Sequence, residues 1–343
     1  MLKREFLRMV PIAEKRASVQ KENVGKWKSN VLVRAADDAP ETPGEMFPGM
    51  ENIRNEPIIA FTETGKEEIK IPKQEEHETI EDLFLKRGFQ IIKKNGESQR
   101  APAVYSERSM PECVRRLACR MAENYEELRD FCHMLRSCNS GGRRKFSYAV
   151  PKKEAECVMQ FAEDLRKYGV LILPERFAVS AGCPERTICG DVSDAANVIA
   201  FFNGIWLECF SFIEAEKAAK EAAERMKTDF EVLANVSVEE VETKKINELD
   251  IVIRIGSSLF WIECKCGSFH ESAYLKYYRL GKRMSVVPDH MLLLAADLTD
   301  REKSEMIGYF YQYKMCSLET YRESLREMLN RAEMEETGEA FNS

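Results

Sequence analysis

Apolar residues recur at spacings of three and four through Val114, Leu117, Met121, Tyr125, Leu128, Cys132 and Leu135, which predicts one amphipathic helix. Ser109 and Glu112 frame its start as a capping box, with Pro111 in the first turn, and Asn139-Ser140-Gly141-Gly142 marks its stop. A second helix is predicted after Pro151, with Cys157, Val158, Phe161, Leu165 and Tyr168 inward and Gly169 as the stop. Residues 170–173 then read as a strand ended by Pro174, and 186–190 as a return. Upstream, 57–62 reads as a strand, and 79–87 as a short helix closed by Gly88. The last third alternates in period. It predicts a helix over 203–226, strands over 230–238, 247–255 and 259–265 with a turn at Gly256-Ser257-Ser258, a helix over 271–283 and an apolar strand over 291–296. Thr299 and Glu302 would box one more helix start.

Helices mixed with a short sheet place the chain in the α/β or mixed α+β classes. Its 343 residues suggest two or three domains. The divisions expected are a partly linker-like region 1–100, a mainly helical, winged-helix-like region 101–195, and a mixed sheet-and-helix domain 196–343. A helical connector packed on its neighbour accounts for the middle region equally well. Four of the twelve prolines fall in 35–57, a composition that suits a linker. The formal charge of -7, from 51 basic and 58 acidic side chains, argues against coating nucleic acid through bulk charge, though not against a local basic groove. The longest apolar runs, 198–202 and 291–296, are far too short to span a bilayer, so no membrane partner is expected. The charged N-terminus lacks a signal-peptide apolar run, and the cysteine count of eleven is odd. Free thiols in a reducing, cytoplasmic setting follow. The cysteine spacings fit a zinc site poorly.

Two charged clusters interrupt apolar strands: Asp250, and Glu263 with Lys265. Side chains alternate along a strand, so Glu263 and Lys265 share a face, and a hairpin brings Asp250 beside them if the register permits. Charges inside a sheet are costly to bury unless something satisfies them. Two carboxylates suit a magnesium ion that keeps several waters, and Lys265 could orient or deprotonate such a water. The bare E-x-K pattern is weak, since Glu68-Ile69-Lys70 and Glu242-Thr243-Lys244 share it in polar surroundings. An amphipathic hairpin with surface charges is the plainer reading. Separately, Arg143, Arg144, Lys145, Lys152 and Lys153 fall in fifteen residues, 139–153, without an acid. Phe146 and Tyr148 are interleaved, as in a loop that grips phosphates and stacks on bases.

Asn247-Glu248-Leu249-Asp250 followed by Trp261-Ile262-Glu263-Cys264-Lys265 resembles the PD-(D/E)xK nuclease superfamily. Phe202-Asn203-Gly204-Ile205-Trp206-Leu207-Glu208 is similar to the start of the first core helix in the branch of CRISPR-associated nucleases activated by cyclic oligoadenylate. The likeness covers roughly 196–315. It implies a restriction-endonuclease-like core with a central mixed sheet flanked by helices. It implies Asp250, Glu263 and the backbone carbonyl of Cys264 as ligands of Mg²⁺ or Mn²⁺, Lys265 as the catalytic lysine and Glu208 as an accessory acid sharing the metal. It also implies substrate contacts by Lys276, Arg279 and Lys282 on the following helix, a homodimer, and antiviral defence. The branch's N-terminal sensor domain is not matched, because 1–100 shows neither apolar parallel strands nor a glycine-rich phosphate turn.

The expected function is therefore a metal-dependent endonuclease acting on DNA, RNA or both. One alternative is a winged-helix-like nucleic-acid-binding regulator whose nuclease-like domain no longer cuts. Another is a protein-interaction module with incidental hairpin charges.

Overall fold

The computed structural model describes residues 78–94, 110–140, 144–173, 186–193, 198, 200–267, 271–298 and 313–337, all within one compact unit of the chain. The expected linker over 35–57, the strand over 57–62, the Ser109 cap, Arg143 and the Thr299–Glu302 helix start lie outside them.

Helix α1 (Ile80–Lys86) begins at Thr79, whose hydroxyl and backbone both bond Asp82 in a reciprocal capping box, and Gly88 follows its end at φ 80°. Strand β1 (Phe89–Lys93) comes next. The single helix predicted from residue 114 is two: α2 (Glu112–Glu123) and α3 (Tyr125–Ser140). The break falls at Asn124, whose side-chain amide donates to the Arg120 carbonyl at 2.9 Å, a local bond that competes with helix continuation. All seven stripe residues are nonetheless buried, because the break preserves the face. Helix α2 starts at Pro111 without a side-chain cap.

Residues 145–150, expected as a phosphate-gripping loop, form strand β2 (Lys145–Val150). Alternation turns Phe146 and Tyr148 onto Phe131 of α3, with ring centroids 6.2 and 5.1 Å apart, so Phe146 is buried in the core and Tyr148 packs half-buried against it. Helix α4 (Ala155–Lys167), β3 (Leu171–Ile172) and β4 (Arg186–Val192) follow. The three strands pair antiparallel in the order β2-β4-β3. Two helices, a strand, a third helix and two short strands thus make up this region, with β4 central in its small sheet.

A π-helical turn over Phe201–Ile205, with Gly204 at φ 147°, leads into the long helix α5 (Trp206–Met226). Strands β5 (Phe230–Glu240), β6 (Ile246–Ile255) and β7 (Ser258–Lys265) form an antiparallel meander. Helix α6 (Glu271–Arg283), β8 (Met291–Ala295), β9 (Lys314–Cys316) and helix α7 (Tyr321–Thr337) complete the described chain. The large sheet is mixed, in the order β1-β5-β6-β7-β8-β9, with β7, β8 and β9 parallel. The fold is thus mixed α/β. Helices α5 and α7 cover one face of the sheet, and α1 and α6 the other. One apolar cluster runs from Met110 to Leu329, so the middle region and the large sheet share a core. Among the described residues no helix is long and apolar enough to cross a membrane.

Candidate active site

The hairpin sets the site's geometry. Gly256, at φ 54°, opens a two-residue turn that pairs Ile255 with Ser258. The ladder runs from that pair to Ile251 opposite Ile262, and one step further Asp250 comes opposite Glu263. Opposed residues point to the same face, so the register delivers both carboxylates to one side of the sheet. Asp250 is 3% exposed and Glu263 6%, which excludes an amphipathic hairpin with surface charges. Both sit in strands that are buried on both faces, since helices cover the sheet from either side.

Three oxygens meet one cation here. The Lys265 ammonium lies 2.6 Å from Glu263 Oε1, 3.1 Å from the Cys264 carbonyl oxygen and 3.8 Å from Asp250 Oδ2. Asp250 Oδ2 also accepts the Cys264 backbone N–H at 2.8 Å, a side chain serving where ladder bonds serve elsewhere. The other Glu263 oxygen, Oε2, is buried and makes no hydrogen bond of ordinary geometry among the described residues. Glu263 also borders a small cavity lined by Trp261, Tyr277, Leu293 and Tyr313. Tyr277 of α6 closes the cluster from above, its ring centroid 5.2 Å from the Lys265 nitrogen.

Burial, and then the neighbouring Asp250, push the Glu263 carboxyl up to about 7, against the pull of Lys265 and the Tyr277 hydroxyl. Burial disfavours the Lys265 charge, but Glu263 and Asp250 outweigh it and hold the group protonated well above the ordinary lysine range. Lys265 is therefore a donor in this arrangement, and orienting is the part of its expected role that the electrostatics favour. A consequence for stability follows from the Glu263 shift. Between about 4.5 and about 7 the folded chain holds a proton that the unfolded chain has released, so Glu263 makes stability fall as pH rises through that window. In EDTA, Glu263→Gln should remove this component. Urea denaturation across that range should show the variant gaining on the parent as pH rises, whereas a constant difference would contradict the shift.

The structure brings together Asp250, Glu263, the Cys264 carbonyl and Lys265. It does not add Glu208 as a third close carboxylate. Glu208 is buried on α5, where Asn235 of β5 donates to its Oε2 at 3.1 Å. Among the described residues no three Asp, Glu, His or Cys side chains converge closely enough to hold a metal ion. Glu208 stands near the strand end all the same, since its charge, with burial and Asp250, raises the Cys264 thiol. That rise argues against Cys264 as a nucleophile.

The basic residues fall in three places. Arg144 and Lys145 open β2, whereas Lys152 and Lys153 lie beyond its other end, roughly 20 Å away at a strand's rise per residue. A cluster contiguous in sequence is thus divided by a strand. Lys276, Arg279 and Lys282 lie on the exposed side of α6, opposite Tyr274 and Tyr277.

Sequence reasoning missed Asn235 and Tyr277 as parts of the site. Asn235 adopts a left-handed φ of 50° between the pairs Ala234–Ile251 and Val236–Leu249, opposite Asp250. An asparagine within an apolar strand pattern is the only hint the sequence offers, since this residue tolerates that conformation better than most. Tyr277 announced itself only as part of an apolar stripe.

No protein-family description matches the chain, and no curated protein matches it. Solved structures do resemble it. Protein VC1899 from Vibrio cholerae shares 16% identity over 73% of this chain, with a TM-score of 0.47. Can2 from Sulfobacillus thermosulfidooxidans, solved in complex with cyclic tetra-adenylate, shares 14% identity over 74%, with a TM-score of 0.49. The chain spans 60% and 61% of the length of those two proteins. The chemistry of the chain is argued from the site itself.

Proposed function

We propose that this chain is a metal-dependent nuclease that hydrolyses phosphodiester bonds of DNA or RNA, with a site of the PD-(D/E)xK kind. The observation that carries the proposal is the convergence of two buried carboxylates and a backbone carbonyl on one cation, at the point where β6 passes Glu263. An all-oxygen set of this composition fits Mg²⁺ or Mn²⁺ better than a softer metal, and the buried Glu263 Oε2 offers a further lone pair. Asp250, Glu263 and the Cys264 carbonyl would hold the ion, which when bound would supply Lewis-acid stabilisation of charge on the phosphate. Glu208, bonded by Asn235 from the stretch of β5 that lies opposite Asp250, would take an accessory part.

Lys265 holds a proton beside the reacting centre. As an ammonium donor it orients a water or the scissile phosphate and offsets the charge that builds there. Tyr277 limits how far that ammonium swings, and the apolar sheet beneath keeps bulk water out. The sequence resemblance extends the proposal to defence against foreign nucleic acid.

The test is incubation of the purified chain with single- and double-stranded DNA and RNA in Mg²⁺, Mn²⁺ or EDTA. Cleavage that EDTA abolishes is expected. The second reading, a regulator that binds without cutting, draws on two observations: Lys265 already partly neutralises the carboxylates, and among the described residues no third acid joins them. A clean gel shift with no cleavage in either metal would favour it.

A further inference from the structure

One carboxylate outside the site gathers the elements that carry it. Asp297 lies two residues beyond the end of β8, beside the end of β7. Its Oδ1 accepts the Tyr125 hydroxyl at 2.7 Å, and its Oδ2 accepts the Gly267 backbone N–H at 2.6 Å. His133 Nε2 lies 3.6 Å from Oδ1. The two donors each lead back to a residue of the site. Gly267 follows Lys265 by two positions, at a φ of 83°, where the chain leaves β7. Tyr125 opens α3, and its ring stacks on Trp206 with centroids 5.4 Å apart. Trp206 is the first residue of α5, two before Glu208.

Lys265 needs such an anchor because it ends its strand. Its carbonyl accepts the Ala296 N–H at 2.9 Å, at the end of the β7–β8 ladder. Two residues further the backbone is held by a side chain, since Asp297 takes the Gly267 N–H. Strand ends open more readily than strand middles, and a loosened end would carry the Cys264 carbonyl and Lys265 away from Asp250 and Glu263. The other carboxylate oxygen ties that same end to a buried tyrosine. Burial and the bond to Asp297 keep the Tyr125 hydroxyl protonated, so it stays a donor. One oxygen thus engages the strand that bears the lysine, and the other engages the helix whose first ring packs on the start of α5. Catalytic geometry tolerates little error: a displacement of about 1 Å costs on the order of a hundredfold in rate.

We propose that Asp297 is a positioning residue of the nuclease site, holding the Lys265 end of β7 and the Glu208 end of α5 in one fixed arrangement. The proposal rests on the nuclease reading and adds to it a residue that touches neither substrate nor metal. Asp297 acts through the Cys264 carbonyl, Lys265 and Glu208, so its effect falls on turnover and metal binding rather than on capture of the nucleic acid.

Asp297→Ala, Asp297→Asn and Tyr125→Phe are compared with the parent in the full chain, well below the lowest melting temperature of the set. Cleavage of a fluorescein-labelled oligothymidylate and its oligouridylate counterpart in saturating Mn²⁺ gives kcat and KM. Calorimetric titration with Mn²⁺, without substrate, gives the metal's Kd. Asp297→Ala should lower kcat roughly thirty- to a hundredfold, leave KM within about twofold, and raise the Mn²⁺ Kd about tenfold. Asp297→Asn keeps an acceptor for the Gly267 N–H and should recover most of kcat and of the metal affinity. Tyr125→Phe keeps the stacked ring and loses one bond. It serves should Asp297→Ala fold poorly, with kcat lowered roughly threefold at unchanged KM. A purely structural residue would lower only the melting temperature. A cutting parent whose variants keep kcat and Mn²⁺ Kd would therefore overturn the proposal and spare the nuclease reading. Weaker Mn²⁺ binding in Asp297→Ala, restored in Asp297→Asn, from a parent that does not cut would uphold the positioning and remove that reading. A parent that neither binds Mn²⁺ nor cuts would remove both.

Discussion

Asp250→Asn is expected to abolish cleavage while leaving the fold in place. The substitution keeps size and shape, and its side-chain oxygen can still accept the Cys264 N–H that Asp250 accepts at 2.8 Å. What it removes is a negative charge from a buried pair whose net charge would hold a divalent ion. Metal stabilisation of a phosphoryl transition state is worth several kcal/mol, so losing about 4 kcal/mol of it lowers kcat roughly a thousandfold. The melting temperature in EDTA should move by only a few degrees. Mn²⁺-dependent cutting at the parental rate in Asp250→Asn would end the assignment of this site. Because the carboxylates act as a unit, Asp250→Asn combined with Glu263→Gln should cost little beyond either change alone.

Lys265→Met should reduce both activity and stability, and metal should restore only the second. The ammonium lies within 4 Å of both carboxylates, so its removal leaves two like charges facing each other in the protein interior. Breaking a buried ion pair from one side costs on the order of 3 kcal/mol. Part of that loss is relieved when Glu263 takes up a proton, so the deficit should be largest above pH 7 and smaller at pH 5. A divalent ion supplies the missing charge and binds only the folded chain. At a concentration about 100 times its dissociation constant it contributes roughly 2.7 kcal/mol. Thermal denaturation with and without millimolar Mn²⁺ is the measurement, and the metal-induced rise should be greater in Lys265→Met than in the parent. An equal rise in both would mean that ammonium and metal do not answer the same carboxylates.

Much of this architecture is legible in the sequence, for reasons that differ along the chain. Strands β6 and β7 and helix α6 are bounded by glycine and by switches in apolar period, and these local signals survive packing. The pairing of Asp250 with Glu263 follows once the turn at Gly256 has two residues, because register is counted from the turn. The loop expected at 145–150 rests on the basic residues around it, whereas the segment's own alternation of Lys145, Ser147 and Ala149 with Phe146, Tyr148 and Val150 is the period of a strand. Glu208 was placed on the right helix, but its bond to Asn235 depends on a left-handed residue in another strand, which no spacing announces. The bonds that Asp297 accepts from the Tyr125 hydroxyl and the Gly267 backbone N–H join groups 172 and 30 positions apart in sequence, and only the folded chain brings them together.

The bond between Asp250 and the Cys264 amide has a use in measurement. Along the inner strands, backbone amides are shielded from solvent exchange by ladder partners, so their protection reports opening of the sheet. The Cys264 proton is held by a carboxylate, and its exchange with deuterated water answers to the charge and position of one side chain. A single amide in β7 thus becomes a built-in reporter. Adding metal or oligonucleotide would alter its exchange rate before any turnover, while amides two residues earlier in the strand keep time with the sheet.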